Sequence, residues 1–154
     1  MRLNKKIYRK VGDILSDSDF SLNNLKKFQD NLLKAKSMYP DIAQEKLEET
    51  ALKFKNRVAA LTKEAVKADA DNLVKGFKLE KVQKNGSSLD LQFVSTHPEF
   101  QKIENGYNQV LANGKTGWVP GKQIIGRATE EFQKSIGNEM NGLVDALTRR
   151  CGLV

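Results

Sequence analysis

A chain of 154 residues with 39% apolar side chains has the size of one domain and can bury one core but hardly two. Its 29% charged content, and the lack of an apolar run near the roughly 18 residues a membrane span requires, exclude a transmembrane protein, and the basic start Met1 to Lys10 lacks the apolar stretch of a signal peptide, so the chain is expected to stay in the cytoplasm where it is made. One cysteine, Cys151, three residues from the end of the sequence where chains commonly fray, cannot form an internal disulfide and fits a reduced compartment.

The net charge of +7 is concentrated at the start: residues 1–38 carry nine Lys/Arg against four acids, whereas residues 39–80 carry eight of each sign. Residues 1–20 read as a basic arm ahead of a single domain at 21–150. Arg2, Lys5, Lys6, Arg9 and Lys10 form an acid-free cluster that can lie on phosphates or on an acidic protein, or simply keep a solvated arm soluble.

Ser21 can cap a helix in which Leu22, Leu25, Phe28, Leu32 and Ala35 recur at steps of three and four. Tyr39-Pro40-Asp41 is expected to break it, because proline disfavours helical geometry in the residue before it, and Asp41 then caps a second helix. Leu47, Ala51, Phe54, Val58, Leu61, Ala65 and Ala68 lie on one stripe of that helix, predicted to run to about Asp71. Three of the seven are alanine, which favours close packing against a sheet or a neighbouring helix over a coiled-coil seam.

After Gly76 the period changes to two, with Phe77, Leu79 and Val82 and then Leu89, Leu91 and Phe93 flanking an Asn85-Gly86 pair, the signature of a β-hairpin. A short helical turn at Pro98 to Glu104 and a brief strand near Tyr107 to Leu111 follow. From Pro120 onward Ile125, Ala128, Phe132, Ile136, Met140, Leu143 and Leu147 restore the helical period to about Arg149, with Gly152 placed to end the helix and Gly137 and Gly142 weakening it. The expected class is α+β: a small antiparallel sheet of one hairpin and one or two further strands, covered by long helices near 41–71 and 121–149.

Sets of catalytic residues are scarce. His97 is the only histidine, which excludes the multi-histidine zinc patterns, and its place before Pro98 at a strand-to-helix junction suits a local hydrogen-bonding role. Gly114-Lys115-Thr116 resembles the end of a phosphate loop, but the required earlier glycine is missing, so Asn113 to Gly117 reads as a turn. Glu45 with Glu49, and Glu130 with Glu131, stand on helix faces among basic neighbours as solvated surface. No metal and no cofactor is expected.

The informative stretch is Phe100-Gln-Lys-Ile-Glu-Asn-Gly-Tyr107 followed by Gly117-Trp-Val-Pro-Gly121 and a long amphipathic helix. Gly106 permits a backbone conformation other residues resist, Pro120 is preorganised for a first helical position, and Trp118, the only tryptophan, is either a core plug or an interface anchor. The loop from Asn105 to Gly117, long for a hairpin connection, reads as a segment that becomes ordered against a neighbour. In this order the residues resemble the small neck proteins of lambda-like long-tailed bacteriophages, variously called tail-completion, head-tail joining or minor capsid proteins. There an aromatic-x-x-(Val/Ile)-Glu-x-Gly-(His/Tyr) segment precedes a Gly-Trp-Val-Pro-Gly turn and a C-terminal helix. Phe100, Ile103, Glu104, Gly106, Tyr107 and Gly117 through Gly121 match; Asn108-Gln109 replaces the basic residue that follows in the family.

The resemblance implies a structural virion protein that is not an enzyme. It would form a ring, sixfold to match a tail tube, between the head connector or adaptor and the tail tube or tail terminator, made in the host cytoplasm and ending in the neck of the virion, with genomic DNA passing through. Glu104, Gly106, Tyr107, Trp118, Val119, Pro120 and Gly121 are then the subunit or partner interface, and the loop Asn108 to Gly117 would meet an adjoining ring. The competing class is a small basic nucleic-acid-binding module, and a small hydrolase built on His97 or Cys151 is a third.

Overall fold

The computed structural model describes residues 22–154. The basic arm with Arg2, Lys5, Lys6, Arg9 and Lys10, and the cap expected at Ser21, lie outside the described residues. The elements are α1 (Leu22–Ala65), α2 (Ala70–Lys75), β1 (Phe77–Leu79), β2 (Gln83–Asn85), β3 (Ser88–Asp90), β4 (Phe93–Ser95), α3 (Pro98–Asn105), β5 (Gly106–Val110), β6 (Thr116–Pro120) and α4 (Ile124–Cys151). The class is α+β, as the alternation of periods predicts, but among the described residues the strands form three separate two-stranded antiparallel ladders rather than one sheet.

The break expected at Tyr39-Pro40-Asp41 does not occur: α1 is one helix of 44 residues with Pro40 inside it. An interior proline has no N–H for the carbonyl four residues back and crowds it, at a cost of about 3 kcal/mol. Ala35 and Ile42, on either side of it, are both buried, so packing holds each flank helical against that local cost. At the other end α1 stops at Ala65, short of the expected Asp71. Asp69 takes φ 65°, a left-handed conformation that no helix interior tolerates, so Ala68 falls outside the helix and α2 starts afresh.

The chain divides into two compact units: residues 22–40 together with Val144–Val154, and Asp41–Leu143. In the first, the Asn31 side-chain amide donates to the carbonyl of Gly152 at 2.8 Å, and Ala35 and Cys151 are buried. Gly152, at φ 70°, closes α4 as expected, with its N–H on the Arg149 carbonyl and the Leu153 N–H on that of Thr148, the paired bonds of a Schellman motif. Cys151 is therefore not part of a frayed tail; it ends the helix with its side chain 1% exposed. Leu25, Phe28 and Leu32 of the first unit are exposed.

The second unit holds the main core. Val58 and Leu61 from the predicted α1 stripe pack with Leu73, Phe77, Phe100, Ile124 and Ala128, which bears out close packing of the alanine-rich stripe over the coiled-coil alternative. Five phenylalanines run through it as an edge-to-face chain: Phe132 to Phe54 at 5.9 Å, Phe54 to Phe93 at 5.8 Å, Phe93 to Phe77 at 5.3 Å and Phe77 to Phe100 at 4.9 Å. This chain ties α4, α1, β4, β1 and α3 together. Thr62, fully buried, satisfies its hydroxyl on the Val58 carbonyl.

The hairpin predicted around Asn85-Gly86 is present, with Asn85 opposite Ser88 and a two-residue turn at Gly86-Ser87, where Gly86 takes φ 62°. Its base continues as the β1–β4 ladder, with Phe77 opposite Ser95. Outside the core, α1 and α4 are antiparallel and joined by ions. Glu139 meets Lys46 at 3.2 Å and Lys53 at 3.0 Å and accepts from the Thr50 hydroxyl, while Arg57 grips Glu131 through two nitrogens at 2.6 and 2.9 Å.

Candidate functional site: the β5–β6 ribbon and its base

The motif segment folds as a two-stranded ribbon on a fixed base. Pro98 opens α3 at a first helical position, and His97 caps it, its Nδ1 accepting from the Glu99 N–H at 3.3 Å. That is the local hydrogen-bonding role the sequence suggests for this histidine. Phe100, on the inward side of α3, enters the core and anchors the helix. At its far end Gly106 takes φ 90° and turns the chain directly into β5.

β6 returns antiparallel, with Gly106 opposite Pro120, Tyr107 opposite Val119 and Asn108 opposite Trp118. Two expectations are corrected here. The Gly117-Trp-Val-Pro-Gly121 segment is not a turn entering the last helix but a strand, and Pro120 is its final residue rather than the first of α4. Nor is there a long loop from Asn105 to Gly117: the connection is only Leu111 to Lys115, closed by the Leu111 N–H on the Lys115 carbonyl at 2.8 Å, with Gly114 at φ 76° and the Asn113 side chain accepting from the Lys115 N–H. The turn foreseen at Asn113 is real, but Thr116 and Gly117 already belong to β6.

The physical reason is an interlock at the ribbon's base. Gly121 runs so close to the end of α3 that a Cβ there would strike the Glu104 carbonyl and the Asn105–Gly106 peptide, and a Cβ on Gly106 would lie 2.6 Å from the Trp118 ring and from the Val119 carbonyl. Both glycines are required by this crossing. Past it, the Lys122 N–H donates to the Ile103 carbonyl at 2.7 Å and the Gln123 N–H to that of Glu104 at 3.2 Å, so the chain stays tied to α3 until Ile124.

There Glu104 starts the final helix. Its carboxylate accepts from the Ile125 N–H through both oxygens at 3.1 Å and from the Gly126 N–H at 3.4 Å, satisfying amide donors that the first turn of a helix leaves free and setting negative charge at its positive end. Ile124 beside it is fully buried, a core residue the sequence stripe missed by starting at Ile125. Of the proposed interface residues, the structure thus brings Glu104, Gly106 and Gly121 together as a structural joint.

It splits the other four between the two faces of the ribbon, Tyr107 with Val119 and Trp118 with Pro120. Directly opposed residues of an antiparallel pair share a face and neighbours along a strand alternate, so Tyr107 and Val119 face one way, and Trp118, Asn108 and Val110 the other. Trp118 is 61% exposed and is not a core plug; Val110, which no sequence signal singled out, is 71% exposed on the same face. Tyr107, at 37%, is only partly open. Leu111, also exposed, lies at the tip against Gly117.

Beside the base, Ser95, His97 and Glu104 line a cavity of about 300 Å³. This is a nucleophile, base and acid by residue type, but the carboxylate is occupied by the amides of α4 and the imidazole Nδ1 by that of Glu99; the Ser95 hydroxyl is buried with no partner among the described residues. Among the described residues no cluster of His, Cys, Asp or Glu could hold a metal ion, and no helix is long and apolar enough to cross a membrane. Comparison with protein-family models, with curated proteins and with solved structures finds no match for this chain.

Proposed function

We propose that this chain is a structural subunit of the neck of a long-tailed phage, forming a ring that completes the tail and joins it to the head connector while DNA passes through the middle, and that it catalyses no reaction. One observation carries the reading: Trp118 and Val110 stand exposed on a single face of a two-stranded ribbon whose base is locked. An isolated ribbon is marginal in water, and an aromatic held outward on a rigid mount suits protein contact. The order of the motif residues, in which the resemblance to phage neck proteins consists, agrees with that use. Glu104, Gly106, Pro120 and Gly121 serve the interface by holding the ribbon, and Trp118 by entering it.

Sedimentation of the purified protein across a concentration series tests this. Wild type is expected to associate, and Trp118→Ala to shift the midpoint upward by at least about tenfold. A wild type that stays monomeric throughout, or a virion whose head-tail junction lacks this polypeptide, sinks the proposal. The basic balance of +7 supports a second reading, a nucleic-acid-binding module. A gel shift that persists at moderate salt favours that module; weak, sequence-blind, salt-sensitive binding favours the ring.

A further inference from the structure

The ribbon has no acid of its own: between Gly106 and Gln123 the only charged residues are Lys115 at the tip and Lys122 at the base. Two copies meeting ribbon to ribbon would therefore oppose like charges around the exposed Trp118. The complementary surface lies elsewhere on the same unit. Between α1 and the strands, Leu79, Val82 and Leu91 are half-buried along a groove of about 450 Å³ whose rim carries Glu48 and Glu80, with Lys81 the one cation lining it among the described residues. Apolar floor and acidic rim match apolar face and basic tip.

We infer that the β5–β6 ribbon of one copy lies in this groove of the next, with Trp118 and Val110 of its exposed face on Leu79, Val82 and Leu91, and Lys115 at its tip beside Glu80. The inference rests on the ring reading and gives it a mechanism. Two different surfaces joined head to tail make a heterologous contact, which closes into a ring when the rotation from copy to copy completes a circle, where a symmetric face-to-face contact stops at a dimer. The occupant is a second copy because both halves of the complementary pair are on this chain.

Two variants separate the halves: Trp118→Asp, which spoils the ribbon face and leaves the groove, and Leu91→Asp, which spoils the groove and leaves the ribbon face. Each alone is expected to sediment as a monomer at concentrations where wild type assembles, a weakening of at least about thirtyfold. Mixed, they retain one good interface between them and should yield a 1:1 heterodimer that grows no further. Circular dichroism checks that each variant is folded. Should Leu91→Asp fail that check, the exposed pair stands in: Lys115→Glu and Glu80→Lys should each weaken assembly by about fivefold, and the double variant, which restores opposite charges at every junction, should recover it.

Either variant assembling like wild type would overturn the assignment and leave the ring standing, as would a ribbon needed only to bind another virion protein. A mixture that stays monomeric would show a contact of another symmetry and overturn it too. A monomeric wild type would overturn the ring reading and this one with it.

Discussion

Glu104 acts from the end of α3 on the start of α4, twenty-one positions later in the chain. Its replacement by alanine should leave the Ile125 and Gly126 amides without their acceptor and cost about 1–2 kcal/mol, read as a lower urea midpoint at unchanged slope. Glutamine, which keeps an acceptor but not the charge, should recover part of it. The glycines differ in kind. Gly121→Ala must push apart the α3 end and β6, with an expected loss of about 3 kcal/mol, whereas Gly137→Ala, in the interior of α4 with nothing within 4 Å of the added methyl, should gain about 0.5–1 kcal/mol. Both are measured by the same denaturation. Equal effects at the two positions would mean the crossing is not as tight as described.

Among the elements, the two long helices depend on charge outside their shared core. Hydrogen bonding to Lys53 holds the Glu139 carboxyl below its ordinary range, and the Arg57 guanidinium does the same for Glu131. A carboxyl whose folded pKa lies below its unfolded one adds stability that is present above the unfolded value and is lost as pH falls through the folded one. Lys46 and Lys53 are raised, by Glu139 and Glu49 respectively, so their share is present at neutral pH and is lost only as pH rises through their folded values. The thermal midpoint should thus hold through neutrality and drop below about pH 4, the ordinary carboxylate range. Glu139→Gln should melt lower than wild type at pH 7, and the gap should close as the solution is acidified; a gap independent of pH would rule out this role.

The elements also show what the residues reveal in advance. The α1 stripe through Val58 and Leu61, the Asn85-Gly86 hairpin, the His97-Pro98 helix start and the Gly152 stop were all legible, since each depends on residues within a few positions of one another. Pro40 misled because its local cost is outweighed by burial on both sides, which no local rule contains. The Gly117-Trp-Val-Pro-Gly121 segment misled for a related reason: glycine and proline suggest a turn, yet here the glycines serve a close crossing and the proline closes an edge strand. Glu104 was singled out by motif alone; its partner amides are too far along the chain for spacing to find. Alternation did not reveal that Tyr107 and Trp118 point oppositely, because that requires the register of two strands.

At the scale of the whole molecule, binding is linked to stability. If assembly uses only the folded chain, the melting temperature should rise with protein concentration, since association draws on the native state alone. Calorimetry over a hundredfold concentration range should show that rise in wild type and little of it in Trp118→Ala; identical, concentration-independent melting in both would argue that the ribbon meets no second copy. Such a difference would place the cost of an open aromatic in the unassembled chain and its benefit in the joined one.

Because Trp118 is the sole tryptophan and stands exposed on the ribbon, the protein carries a single indole fluorophore, at its outward contact, that can be excited apart from its three tyrosines. Its emission in the free chain should resemble that of an indole in water and shift to the blue when another surface covers it. Selectively excited tryptophan fluorescence in this protein is therefore a gauge of docking rather than of the integrity of the interior.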